Sequence, residues 1–191
     1  PGLKVGLHLN LLEGKSTTHH AYIPSLVYGR GNFYSLKKFI RRIILRLINP
    51  DHIEREITSQ INALKLSGLE VSFIDSHQHI HALSPVAEIV KKVAENENIS
   101  VVRSYGNIRT YTLTAKIKYL ILKFSAYLSY FLTYGKIGLP AAWNTKNAET
   151  YSFMSWEGSN FDFSIIKDTK LVFVAHPYLP FDSNTSYMWT L

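Results

Sequence analysis

Short apolar segments with strand-like patterns recur along the chain and predict four β-strands. Apolar and polar residues alternate over residues 4–10, which is the pattern of a strand with one buried face. Three further apolar runs, bounded by polar or glycine-containing segments, are also predicted to be strands; they cover residues 71–75, 99–103 and 170–175.

Apolar residues with helical spacing predict four helices, which cover residues 36–48, 52–67, 85–95 and 113–134. Asp51 is the expected N-cap of the second helix, and Gly68 follows its end, where glycine readily adopts a left-handed backbone. Ser84 and Pro85 occupy the expected cap and first position of the third helix.

The order of these elements predicts the fold class. Strands alternate with helices, which is typical of an α/β fold with a mainly parallel sheet. The chain of 191 residues fits one domain, residues 1–191. Residues 13–34 contain several glycines and are expected to form a long loop, whereas no element is assigned within residues 138–168.

Composition narrows the function classes. The chain carries 21 Lys and Arg against 14 Asp and Glu, but no recognised nucleic-acid-binding motif accompanies this charge, so we expect no nucleic-acid partner. Because there is no Cys, disulfide scaffolds, thiolate metal sites and cysteine nucleophiles are excluded.

The fourth predicted helix is too short in its apolar part to cross a membrane. It has no charge-free run longer than 12 residues, whereas a membrane span needs about 20. No signal peptide is visible, and we expect a cytoplasmic protein.

Histidine is the residue type that points to chemistry. Three predicted strands end at a histidine: His8, His77 and His176. The carboxyl ends of parallel strands meet at one edge of a sheet, so these three side chains are expected to converge there. Neutral imidazoles are good ligands for first-row metals, and a site with two imidazoles, a carboxylate and open positions is typical of hydrolases.

The block from Asp75 to His81 strengthens this hypothesis. In an extended backbone Asp75, His77, His79 and His81 would all point to the same side. Asp75 could then accept a hydrogen bond from a ligating imidazole and fix its tautomer.

Three segments carry a family resemblance. Residues 5–14, residues 74–81 with their Asp-Ser-His-X-His-X-His pattern, and residues 174–177 resemble, in this order, segments of the YdjC-like carbohydrate deacetylases, which include chitooligosaccharide deacetylase. The resemblance implies a (β/α) barrel-like fold with mainly parallel strands. It also implies that this chain is cut at the N-terminus and, as we expect, at the C-terminus.

The resemblance further implies a set of site residues. His8 and His77 correspond to two metal ligands, and His176 corresponds to a late histidine that would protonate the leaving amine. The third ligand and the general base would come from an Asp-Asp pair upstream of Pro1. Residues lining the substrate or supporting the ligands would be Asn10, Asp75, His79 and His81. The divalent ion could be Zn²⁺, which imidazoles favour, or Mg²⁺, which suits a water-rich site.

The implied function is removal of N-acetyl groups from amino sugars or oligosaccharides, with water activated by the metal ion. Two alternatives remain open. One is another metal hydrolase of the amidohydrolase or polysaccharide-deacetylase type. The other is a non-catalytic relative that binds sugar or a membrane surface.

The helix at residues 37–48 adds a membrane hypothesis. It carries five basic residues and no acidic one, and such helices can lie on anionic lipid headgroups, where a lipid-linked sugar substrate would be found. The alternative is that its apolar side packs on the fold and its basic side is solvated.

Overall fold

The computed structural model describes residues 4–103, 113–143, 151–155 and 170–174. The chain divides into two compact units, residues 1–148 and 149–191, which are described separately. The described residues of the first unit form five strands: β1 (Val5–Leu9), β2 (Val27–Tyr28), β3 (Asn32–Phe33), β4 (Val71–Ser76) and β5 (Val101–Val102). Its helices are α1 (Leu36–Ile44), α2 (Pro50–Leu66), α3 (Val86–Asn96) and α4 (Leu113–Tyr134). Short 3₁₀ segments cover His20–Tyr22, His77–Ala82 and Ala141–Trp143.

The central sheet of the first unit is parallel. Its strand order is β1-β4-β5, and both pairings are parallel. The predicted α/β class with parallel strands is therefore confirmed. Within the described residues the sheet is open rather than closed, so the barrel-like arrangement stays a prediction.

The core of this unit lies between the sheet and the helices α2 and α3, which contact each other. Apolar residues of β1 and β4 point into it, and α2 contributes isoleucines at helical spacing. Burial of such side chains contributes about 1.5–3 kcal/mol each relative to exposure. The fully buried members include Leu9, Ile53, Ile57, Ile61, Ile74 and Val90.

Several predicted helix ends differ from those observed. Helix α1 ends at Ile44 rather than 48, because the backbone turns left-handed at Arg46. The cap of α2 is Asn49 and not Asp51: the Asn49 Oδ1 atom accepts a hydrogen bond from the Asp51 amide at 2.9 Å. The end of α2 was predicted correctly, since Gly68 follows it with a φ of 78°.

The predicted loop at residues 13–34 contains a small hairpin formed by β2 and β3. A buried carboxylate of α2 holds the preceding segment in place. Glu56 accepts hydrogen bonds from the amides of Thr17, at 3.0 Å, and Thr18, at 2.9 Å. Gln60, one helical turn further along α2, donates to Glu56 at 2.8 Å. The loop is therefore anchored to the helix that packs on the sheet.

The second unit contains two parallel strands, β6 (Tyr151–Ser155) and β7 (Lys170–Val174). Strand β7 was predicted, whereas β6 falls in the region to which the sequence pattern assigned nothing. In the part of the chain that the structure describes, no helix is long and apolar enough to cross a membrane.

Candidate active site

The site begins with a pair of residues at the ends of adjacent strands. His8 of β1 and Asp75 of β4 face each other in the parallel register. The Nδ1 atom of His8 lies 3.3 Å from Oδ2 of Asp75, and Asp75 is only 1% exposed. Burial by itself would raise the pKa of Asp75, but the hydrogen bond to His8 and the charge of Arg103 outweigh it and hold this pKa well below its usual value. Asp75 is thus a permanent carboxylate beside His8.

Arg103 supplies the compensating charge for this buried carboxylate. It directly follows β5, and its Nη1 atom lies 3.2 Å from each of the two carboxylate oxygens of Asp75. Sequence reasoning missed Arg103 as a site residue. The same argument that selected the histidines could have found it, because Arg103 also stands at the carboxyl end of a predicted strand.

The prediction of an extended backbone through the histidine block is wrong. Strand β4 ends at Ser76, and residues 77–82 form 3₁₀ turns with a kink. Gln78 and His79 have φ values of 49° and 58°, a left-handed backbone that is uncommon for residues other than glycine. The side chains of the block therefore do not share one side.

His81 is turned into the interior by this kink. It is fully buried, and its Nε2 atom donates to the carbonyl oxygen of Arg103 at 3.1 Å. Its Nδ1 atom is in hydrogen-bond contact with the hydroxyl of Ser76, which also accepts from the His81 amide at 3.1 Å. Burial lowers the pKa of His81 to about 4, so its ring is neutral at physiological pH. Because both ring nitrogens bond protein atoms, His81 positions the backbone beside the site.

His77 and His79 lie nearer to solvent. The ring centroid of His77 lies 6.0 Å from that of His8, with the rings nearly perpendicular. Gln78 Nε2 lies 3.4 Å from His77 Nε2. Desolvation lowers the pKa of His79, and the cation of Arg103 lowers it further. The structure therefore brings His8 and His77 together beside Asp75, and His79 is close enough for its pKa to respond to the charges of these groups.

Hydrogen bonds within the protein hold both the side chain and the backbone of Asn10. Its Oδ1 atom accepts from the Leu12 amide at 2.9 Å, and its Nδ2 atom donates to the carbonyl of Glu13 at 3.2 Å. Gln60 bonds the Asn10 backbone on both sides, donating to its carbonyl at 2.6 Å and accepting from its amide at 3.1 Å. Asn10 thus shapes the turn that follows His8, and substrate contact by Asn10 stays a prediction.

The positions of His8 and His77 are compatible with their predicted role as metal ligands. Two imidazoles bound to one tetrahedral ion would have ring centroids about 5 Å apart, close to the 6.0 Å between His8 and His77. The carboxylate of Asp75 beside His8 Nδ1 would leave Nε2 of this ring to face a metal. Among the described residues, however, no group of three or more His, Asp or Glu side chains could hold a metal ion.

One predicted participant falls on another part of the chain. His176, the predicted acid, lies outside the described residues. Among the described aromatic residues, Trp143 is only 6% exposed and donates its Nε1–H to the Ala82 carbonyl at 2.9 Å, as a core residue does.

Known proteins resemble this chain in sequence. The family model described as YdjC-like protein matches residues 1–176. A carbohydrate deacetylase of Oceanobacillus iheyensis is 35% identical over 104 residues, which are 53% of this chain and 42% of the relative. A carbohydrate deacetylase of Brevibacillus brevis is 38% identical over 103 residues, 53% of this chain and 38% of the relative. The matched segment thus spans about two fifths of the length of these curated relatives.

A solved structure gives a further likeness. It is a crystal structure of an Enterococcus faecalis V583 protein to which cellobiose-phosphate cleavage is provisionally assigned. The likeness covers 63% of this chain and 43% of that one, with a TM-score of 0.47 and 24% identity. The family match, by contrast, includes β1 and the histidine block, the two segments that build the site. The chain therefore belongs to the YdjC-like family.

Proposed function

We propose that this chain forms part of a hydrolase that removes N-acetyl groups from carbohydrates. The observation that carries the proposal is the meeting of His8, Asp75 and His77 at the ends of two parallel strands. The names of the relatives support it, since several proteins similar to this chain in sequence are carbohydrate deacetylases. The substrate class we propose is an N-acetylated amino sugar, either free, in an oligosaccharide or linked to a lipid.

In this proposal His8 and His77 hold a divalent cation, Mg²⁺ or Zn²⁺. Asp75 keeps His8 in the tautomer that presents Nε2, and Arg103 keeps Asp75 ionised. Such a carboxylate partner typically raises metal affinity or activity about 10- to 100-fold. When bound, a divalent cation supplies polarisation of the acetamide carbonyl and acidification of water.

The remaining roles concern proton transfer. His176 would donate a proton to the nitrogen of the leaving amine, as the family resemblance implies. His79 lies among Arg103, His8 and His77, and its lowered pKa keeps it neutral and able to accept a hydrogen bond from substrate. A carboxylate would complete the ligand set and act as general base.

A second candidate is a non-catalytic relative that keeps the fold and binds sugar without turnover. Metal binding separates the two candidates, because only the hydrolase requires His8 and His77 to bind an ion. Another amidohydrolase-type reaction would be recognised by turnover of amides that are not acetylated sugars.

The test compares three forms of the natural full-length protein: unsubstituted, His77→Ala and His19→Ala. His19 is an exposed histidine away from the strand ends and serves as the matched control. Metal binding is measured by isothermal titration calorimetry with Zn²⁺ and with Mg²⁺, and acetate release is measured with N-acetylglucosamine oligosaccharides. We expect His77→Ala to abolish both and His19→Ala to change neither. Full retention of either property in His77→Ala would refute the proposal.

A further inference from the structure

Helix α4 exposes its apolar side. Tyr119, Leu122 and Ala126 lie on the side that packs against the rest of the first unit. The opposite side, spaced at the helical period of 3.6, is apolar along its whole length and exposed. Its members and their exposed fractions are Leu113 73%, Ile117 49%, Leu120 62%, Ile121 61%, Phe124 69%, Leu128 43% and Phe131 50%.

This arrangement is the reverse of an ordinary surface helix. A helix on the outside of a water-soluble domain turns its apolar stripe inward and its polar side outward. A continuous exposed apolar stripe marks a surface that binds something apolar. Isolated exposed apolar side chains are common, but seven of them on one side of one helix form a distinct surface feature.

Lysines border the apolar stripe. By helical periodicity Lys116 and Lys123 lie along one edge of the stripe and Lys118 along the other. All 22 residues of α4 lack an acidic side chain. Lysines beside an apolar stripe are typical of helices that lie in the plane of a lipid surface, where the long side chains reach the headgroups.

Helix α1 extends the same surface. It contacts α4, and the Arg46 Nη2 atom donates to the carbonyl of Leu132 at 3.2 Å. Like α4, it has no acidic residue. Lys37 and Arg41 are exposed on it. Three apolar residues at its end and directly after it are also exposed: Ile44 46%, Leu45 52% and Leu47 50%. Two neighbouring helices therefore both expose apolar and basic side chains.

We propose that α1 and α4 together dock the protein on an anionic lipid membrane. The apolar stripe of α4 would enter the boundary between headgroups and acyl chains, and the basic residues would bind lipid phosphates. Charge complementarity favours this occupant over a second copy of the chain, because pairing two such stripes would bring positively charged borders together. The sequence pattern had pointed only to residues 37–48; the structure assigns the larger apolar contribution to α4.

The docking surface is linked to the candidate active site. The Ser129 hydroxyl on α4 accepts a hydrogen bond at 3.1 Å from the amide of Ser84, which closely follows the histidine block. Membrane docking itself does not depend on the proposed activity, because lipid binding is measured without turnover. Failure of the deacetylase proposal would therefore leave the docking proposal standing.

The test is co-sedimentation of the full chain with vesicles of phosphatidylcholine and phosphatidylglycerol, at low and high salt. We expect binding at low salt that weakens with added salt and is much weaker on pure phosphatidylcholine. A basic residue near an anionic surface contributes about fivefold to partitioning, so the triple variant Lys116→Glu, Lys118→Glu, Lys123→Glu should bind at least roughly 100-fold more weakly.

Matched variants separate docking from general effects. Lys15→Glu with Lys91→Glu changes exposed lysines outside α1 and α4, and Leu66→Ser changes an apolar residue on α2 that is 90% exposed. These should bind vesicles normally, whereas Leu120→Ser with Phe124→Ser should not. All altered residues are exposed except Lys123, which is half-buried, so folding is expected to be retained and is checked by circular dichroism. Two results would overturn the proposal: unchanged vesicle binding in both α4 variants, or a dimer that Leu120→Ser with Phe124→Ser dissociates without any vesicle binding by the unaltered chain.

Discussion

His8 and Asp75 lie opposite each other in the backbone register of β1 and β4, and their side chains are also in contact, with His8 Nδ1 3.3 Å from Asp75 Oδ2. The register makes this contact a direct consequence of strand pairing. Any change that shifts β1 by one residue would turn His8 to the other side of the sheet. The geometry of the site therefore depends on the stability of this pair of strands.

We expect Asp75→Asn to weaken divalent metal binding about 10- to 100-fold, because the amide no longer fixes the tautomer of His8. It should also lower the free energy of unfolding by roughly 3 kcal/mol, because Arg103 loses the carboxylate that compensates its charge. Titration calorimetry measures the first effect and urea denaturation the second. Asp51→Asn removes an exposed carboxylate and is the control; equal effects in the two variants would contradict the assigned role.

Acid should destabilise the fold through His81. Burial lowers its pKa from 6.5 to about 4. As the pH falls through this interval, the unfolded chain binds a proton that the folded chain does not, so stability decreases and then levels off below about pH 4. The full loss from this residue is roughly 3 kcal/mol. Urea denaturation across this pH range should show a shallower pH dependence for His81→Gln than for the unaltered protein, whatever the absolute stability of the variant.

Glu56→Gln should destabilise the segment after β1. The carboxylate is fully buried and accepts from the amides of Thr17 and Thr18 and from Gln60. Glutamine has only one acceptor oxygen, so a buried donor is left without its acceptor, which costs about 1–3 kcal/mol. Thermal unfolding measures this loss.

The control for this change is on the same helix. Glu54 forms an exposed ion pair with Lys92 at 2.8 Å. Such pairs contribute at most about 1 kcal/mol, so Glu54→Gln should be close to neutral. A larger loss of stability for Glu54→Gln than for Glu56→Gln would show that the hydrogen bonds of Glu56 do not hold the segment after β1 in place.

Gly6→Ala should disturb the pairing of β1 with β4. A Cβ at this position would overlap the ring of Phe73, the partner of Gly6 in the register. Overpacking of this kind costs about 1–3 kcal/mol. The double variant Gly6→Ala, Phe73→Ala tests the cause, because the alanine at position 6 should cost much less once the ring is gone. Additive losses would point to a different source of destabilisation.

Much of the fold follows from local patterns in the sequence. The strands β1, β4 and β7 and the helix α4 lie close to their predicted positions, because each is marked by a hydrophobic period or by an apolar run with clear polar borders. The hairpin of β2 and β3 was not foreseen, since its two-residue strands leave no period to detect. Asn49 and Asp51 are both good capping residues, and only the position of Pro50 in the first turn decides between them.

The site was foreseen in part. Three strands ending in histidine predicted the meeting of His8 with His77, which the structure describes, while the predicted place of His176 lies outside the described residues. The kink at Gln78 and His79 could not be read from the residue types, because a left-handed backbone is uncommon for both, even though His adopts it more often than most residues other than glycine. Arg103 could not be found from metal-ligating residue types, because a cationic side chain does not bind a metal cation.

The kink has a consequence for how the family motif is interpreted. It divides the block into a half nearer to solvent at His77 and a buried half at His81. A relative could lose His77 and its chemistry, yet keep Ser76 and His81 because the fold needs them. Under the proposed function, the block alone would therefore not distinguish a metal-binding relative from one without metal, whereas His8 together with His77 would.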